Sequence, residues 1–311
     1  MKAKHLMIIT IAAMLAACSS DETDNTGTEK DNIVLFTGSI EGTHTRAYDQ
    51  TWEDTDKIGI SGTTGGVAYT NVPYKRDNAT FVVDDGQQPI YYQNDQTVTF
   101  TAYYPWNESM TAATTITADT WGQVDQKNFD FLYATGTGSK GVPVDFTFKH
   151  KMAKLVLIVK AGNGVTYEEV AAAVCSLENF LHEGNFDRTT GVATATGSVG
   201  VMWTFANNTS DVAYNTPTVT KDESKASVAY TLILFPQAFS SNNLSFTAET
   251  GGNSYSTEID LAQVTGNDSK NELQAGAQYN ITINLNKTGL TVGTSSISAW
   301  DEKNHEINAG M

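Results

Sequence analysis

The sequence predicts an all-β protein, two β-sandwiches in tandem behind an N-terminal export signal. Three observations lead there. From Ile33 onward, short segments of alternating apolar and polar residues are separated by Gly, Asn and Asp turns. Thr, Ser, Asn and Gly carry the polarity, while charged residues make up only 17% of the chain, the balance of an extracellular β protein. The 311 residues are enough for two ordinary cores without covalent staples. Only Cys18 and Cys175 are present, in unlike contexts, which excludes a disulfide framework.

The first element is the export signal "MKAKHLMIITIAAMLAACSSDETD". Lys2 and Lys4 form its positive end, and Leu6 to Leu15 form an apolar stretch too short to span a bilayer. "LAAC", ending at Cys18, resembles the lipobox of bacterial lipoproteins, in which the signal (residues 1–17) is cut off and the cysteine is lipidated. The other reading is an ordinary secretory cleavage site beside an incidental cysteine. Residues 19–31 contain no apolar side chain, so residues 18–32 are expected to be a disordered tether. "SSDETD" resembles the surface-export signal of Bacteroidetes lipoproteins, and a generic flexible tether explains it as well.

The formal net charge is −16. Loss of residues 1–17 leaves 17 basic residues against 35 acidic ones, or −18. A surface this acidic, with no Lys/Arg cluster, repels phosphate backbones, so nucleic acid is excluded as a partner.

A first domain is expected over residues 33–140. "IVLFTGSI" places Val34, Phe36 and Ile40 on one face of a strand, and "TVTFTAYYPW" does the same with Val98, Phe100, Ala102 and Tyr104. "FVVDDGQQPIYY" is a hairpin candidate turning at Asp85-Gly86. "FDFLYATGTGSKG" reads as a strand that ends in a Gly/Ser/Thr linker, with the boundary at about residue 141. A second domain is expected over residues 141–311. "VPVDFTFKHKMAKLVLIVKAG" gives two long strands or one bent strand. "VTYEEVAAAVCSLENF" predicts a short helix or turn leading into a strand. "AYTLILFPQAF" is almost continuously apolar, as in a strand buried on both faces. "LSFTAET", "SYSTEIDL" and "YNITINLN" complete the set.

No catalytic constellation stands out. The five histidines are scattered, with no recognisable metal-ligand spacing, so no metal site is expected and no cofactor is called for. His150 reads as a structural histidine at a strand end, and Cys175 as a small buried hydrophobe. There is no G-x-S-x-G elbow. "SGTTGG" lacks the lysine of a P-loop and reads as a turn. The carboxylate pairs Asp54/Asp56 and Asp84/Asp85 lie in turn-like sequence. The chain is not expected to be an enzyme.

The order of elements resembles the fimbrillin-like (Mfa-like) family of Bacteroidetes pilus subunits. The resemblance runs through the lipobox at Cys18, "VLFTGSI", "TRA" at Thr45 to Ala47, and "W…DKIGI" from Trp52 to Ile60. It continues through "FKHKMAKLVLIV", "GNFDRTTGVAT" and "LILFPQ" to "LQAGAQYNITINLNKTGLTV…ISAW". One departure is Thr55, where relatives often carry Gly in a turn. The resemblance implies Greek-key, transthyretin-like sandwiches and an outer-membrane lipoprotein displayed on the cell surface in a fimbrium. It also implies that a trypsin-like protease cuts the Arg46–Ala47 bond, a role that the small, polar neighbours "GTHT" suit. On the alternative reading, Arg46 is a surface loop arginine that nothing reads.

Loss of residues 18–46 removes the strand Ile33 to Ile40 and leaves an open apolar groove, a template for a strand from another chain. The candidate donor is "GLTVGTSSISAW", with Leu290 and Val292 on one face, Ile297 and Ala299 on the opposite parity, and Gly293 between. Such a contact propagates a filament. The expected partners are other pilus subunits, a processing protease, the membrane through lipid, and a host or bacterial surface receptor. A second functional class stays open, a monomeric glycan-binding lipoprotein that uses Tyr91, Tyr92, Tyr103, Tyr104 and Trp106 as stacking platforms.

Overall fold

The structure is a computed structural model that describes residues 32–41, 52–199, 203–206, 217–239, 243–268 and 270–300. It is all-β with several sheets. The first strands are β1 (Phe36–Ile40), β2 (Lys57–Thr64), β3 (Val67–Asp77), β4 (Thr80–Val83), β5 (Val98–Tyr104), β6 (Thr115–Asp119), β7 (Leu132–Gly138) and β8 (Val144–His150). Seven of them close into a barrel in the order β1-β4-β3-β2-β5-β7-β8. Alternation builds its core. Along β8, Val144, Phe146, Phe148 and His150 point inward, while Asp145, Thr147 and Lys149 face water. The "SGTTGG" stretch supplies the β2–β3 turn, where Gly65 and Gly66 both take positive φ (52° and 89°), as a tight two-residue hairpin requires.

Three expectations are corrected here. The first sheet closes as a barrel and not as a sandwich, because β1 pairs with β4 on one side and β8 on the other. The Gly/Ser/Thr stretch before residue 141 is a hairpin turn and not a linker. Ser139 bridges to Val142, Gly141 takes φ 78°, and β8 belongs to the barrel, so the chain leaves this sheet only after His150. The segment after Asp85-Gly86 does turn, with Gln87 N donating to Asp84 O at 3.1 Å. It then pairs with the entry to β1 (Ile33 to Tyr91) and forms no hairpin with β4.

The chain continues through β9 (Ala153–Ala161), α1 (Tyr167–Ala171), β10 (Val174–Glu178), β11 (Glu183–Asp187), β12 (Val192–Thr196), β13 (Trp203–Ala206), β14 (Thr218–Asp222) and β15 (Ser227–Leu234). It ends in β16 (Gln237–Ala238), β17 (Leu244–Thr250), β18 (Asn253–Ile259), β19 (Glu272–Leu273), β20 (Ala277–Asn286) and β21 (Gly289–Ala299). A five-stranded sheet, β14-β15-β9-β20-β21, and a four-stranded sheet, β13-β10-β17-β18, share one core. Leu155, Leu157, Tyr230 and Ile281 enter it from the first, Cys175, Leu177, Trp203 and Phe246 from the second. The helix α1 forms where expected, closed by a capping box in which Thr166 accepts from Glu169 N and the Glu169 side chain accepts from Thr166 N.

A third sheet, β12-β11-β6, joins the two parts, since β6 precedes barrel strand β7 while β11 and β12 belong to the later chain. Under it lies an aromatic cluster of Tyr103, Phe129, Phe131, Phe186, Phe235 and Trp300. The apolar strand β15 explains itself here. Leu232 and Leu234 face the large core and Ile233 faces this cluster, so both sides are dry.

Candidate functional site

Strand β1 is short and lies inside a closed sheet. It runs parallel to β8 through five residue pairs, Phe36 with Val144 to Ile40 with Phe148, but pairs with β4 only at Phe36–Phe81 and Thr37–Thr80. Its ends are tied by Val34 N donating to Ile90 O (2.9 Å) and Glu41 N donating to Phe148 O (2.7 Å). As expected from "IVLFTGSI", Val34 and Phe36 are buried and Ile40 packs partly against the same core. The Phe36 ring meets Tyr74 at 5.0 Å and Phe100 at 5.4 Å edge-on and stacks on Phe146 at 5.7 Å.

Two groove features had no signal in the sequence. A Cβ at Gly38 would lie 3.1 Å from the Phe146 carbonyl oxygen and 3.2 Å from the rings of Phe148 and Phe81, so the wall presses on the backbone there. Arg76 on β3 donates through Nη1 to the Gly38 carbonyl at 3.1 Å and lies 5.1 Å from the Phe81 ring centre. Partial burial lowers the pKa of its guanidinium, an effect Asp54 opposes. A scarce arginine thus grips the backbone of the first strand.

Beyond β1, Glu41 pairs with Lys149 at 3.2 Å, and the described chain resumes at Trp52. Trp52 sits edge-on against Phe81, Tyr104 and Phe148. Arg46 and Ala47 lie between these anchors, outside the described residues, as does Cys18.

The four donor-strand candidates lie on β21, an edge strand paired antiparallel with β20 of its own chain. Between the pairs Ile281–Ser295 and Ile283–Val292 the register shifts, one residue of β20 (Thr282) facing two of β21 (Gly293 and Thr294), and the parity of β21 switches there. Leu290 and Ile297, of opposite parity in sequence, therefore both pack on the large core. Val292 is 39% exposed and Ala299 is also exposed. The strand ends at Trp300, whose ring stacks on His150 at 4.1 Å and 4°. His150 is buried, with Nδ1 2.8 Å from Asp130 Oδ1. It is a structural histidine, and it also fastens the end of β21.

The remaining candidates resolve by burial. Tyr92, Tyr103 and Tyr104 are core residues, which leaves only Tyr91 and Trp106 of the proposed stacking platform partly accessible. Asp84 and Asp85 each hold a lysine, Lys57 at 2.6 Å and Lys75 at 2.9 Å, and the Lys57 ammonium keeps Asp84 below the usual carboxylate range. Burial pushes the Cys175 thiol up to about 12. One metal-type set that spacing did not reveal comes together, namely Asp119, His182 and Glu183, whose ligand atoms lie within 4.8 Å of one another.

Comparison with known proteins agrees with this architecture. The profile of the fimbrillin-like family matches residues 45–300. A Bacteroides uniformis protein named "Putative fimbrium subunit Fim1C" is 28% identical over 318 aligned residues, covering 98% of this chain and 97% of the relative. The fold is shared with a crystal structure of a "putative cell adhesion protein" from Bacteroides uniformis, at TM-score 0.67 and 24% identity over 86% of this chain and 99% of the other. A second such protein, from Bacteroides ovatus, gives TM-score 0.67 and 22% identity over 88% and 99%. With a profile match over most of its length, the chain belongs to the fimbrillin-like family.

Proposed function

We propose that the protein is a structural and adhesive pilus subunit. It is exported through residues 1–17, anchored to the outer membrane through lipidated Cys18, cut after Arg46, and polymerised by strand exchange. The observation that carries this reading is the place of β1, a short strand inserted between β4 and β8 of a closed barrel. The Arg46–Ala47 bond lies past its C-terminal end. A cut there leaves β1 held only by noncovalent contacts. Its departure uncovers the β8 edge and the cavity filled by Phe36, and unpaired backbone next to an apolar slot is the template that strand addition needs.

The donor in this reading is the C-terminal strand of a second subunit, with Leu290, Val292, Ile297 and Ala299 on it. As the end strand of its sheet, β21 is paired along its length with β20. On its far side, among the described residues, a single bridge joins Ser296 to Thr265, with Ile297 N donating to the Thr265 carbonyl at 3.0 Å, so its release breaks little beyond the β20 ladder. Groove and donor lie on different surfaces, so each added subunit offers a new groove and the polymer stays open. Subunits of the same or related chains, a trypsin-like protease and a surface receptor are the partners that follow.

N-terminal sequencing of subunits sheared from the cell surface tests the processing step. The expected first residue is Ala47. A filament subunit that begins at blocked Cys18 contradicts it.

A further inference from the structure

We propose that Asp119, His182 and Glu183 form a site for a borderline divalent cation of the zinc class, one that fastens the barrel side of the chain to its later half. The three residues come from segments 63 positions apart, brought together where β6 pairs with β11. Asp119 and Glu183 are direct cross-strand partners, and His182 immediately precedes β11.

Several features point to a cation. Two carboxylates placed directly opposite on paired strands repel each other. Among the described residues, no lysine or arginine pairs with either one. His182 is already aimed at the gap, its Nδ1 2.7 Å from Asp119 Oδ1. Neighbouring groups hold it there. The His182 carbonyl accepts from Thr120 N (2.8 Å) and Thr120 Oγ1 (3.0 Å), and the Trp121 ring stands edge-on to the imidazole at 4.9 Å. Asp119 Oδ1 is fixed by Trp121 N at 2.8 Å. Such outer contacts orient ligands before a metal arrives.

One imidazole nitrogen with two carboxylate oxygens suits Zn²⁺, which takes N and O ligands at about 2.0–2.2 Å, and water completes the coordination. Calcium and magnesium prefer all-oxygen sets, so they are poor fits. A bound cation cancels the repulsion between the two carboxylates. It also cross-links β6 to β11, the strand pair that joins the two parts of the molecule. This holds for the isolated monomer and does not depend on the assembly reading.

The test is calorimetric titration of untagged protein, residues 33–311, with ZnCl₂ in a non-chelating buffer at pH 7.5, alongside thermal unfolding. The expected result is one saturable site per chain and a Tm rise of roughly 5 °C when free Zn²⁺ is about a hundredfold over Kd. His182→Ala and Glu183→Gln should each weaken binding at least about tenfold. Both residues lie at the surface edge of a strand pair, and near-UV circular dichroism checks that the variants keep the native fold. No uptake up to millimolar zinc overturns the proposal, because the cluster is then a plain His–Asp pair. Uptake that persists in both variants overturns it equally, since the ions then sit on other groups such as His44 or His305.

Discussion

Phe36 is where the chemistry of a single side chain bears most on the whole. Truncating it to alanine empties a space bounded by Tyr74, Phe100 and Phe146. Phe36→Ala should therefore cost about 3–5 kcal/mol in urea unfolding of the uncut chain. Gly38→Val tests the tight wall. With 3.1–3.2 Å available to its first carbon, the variant should lose about 1–3 kcal/mol through overpacking. If valine is tolerated without loss, β1 is not clamped at that point. Cys175 makes a chemical prediction. Its thiol is buried and shifted up to about 12, so it should stay inert to a thiol reagent at pH 8 until the protein unfolds. The linkage sign follows. Above pH 9 the unfolded thiol ionises while the native one keeps its proton, so this group makes stability fall as pH rises from 9 towards 12. Cys175→Val should flatten that slope, measured as urea midpoints across the range.

At the scale of elements, the strand faces were legible and the pairings were not. Period-two alternation assigned Val34 and Phe36 to the core, and the helix formers after Thr166 marked α1. The parity switch of β21 was also legible, since Leu290 and Ile297 cannot share a face of a regular strand, and a bulge beside Gly293 lets them do so. What sequence could not settle was partner choice. "DDGQQ" turns as its residues require, but the segment after it bridges to the entry to β1 because the neighbouring edge of β4 is already taken by β1 itself. Asp119 and His182 stayed invisible for a related reason, as no local spacing connects residues brought together by sheet pairing. At the end of β21, Trp300 fixes the strand through His150. Trp300→Ala should speed amide hydrogen exchange at Ile297 to Ala299 by at least about tenfold and leave the barrel amides of β5 and β7 unchanged. Equal acceleration in both regions would mean that Trp300 supports the whole fold and not this strand.

For the whole molecule, the composition and the alternation of short strands were enough to give the fold class. The closure of the first sheet was not, because it depends on β1 pairing in parallel with a strand more than a hundred residues away. That closure is also what gives Arg46 its meaning in the proposed function. While the chain is intact, β1 is tethered beside its own groove, and this effective concentration excludes a donor from another subunit. Cutting the tether removes the advantage. The central claim is therefore that assembly waits on one bond, and the most direct measurement is electron microscopy of cells whose only copy of this protein carries Arg46→Ala, with the subunit labelled by antibody. The account predicts folded, surface-exposed protein and no labelled filaments. Normal labelled filaments built from the Arg46→Ala chain would contradict it.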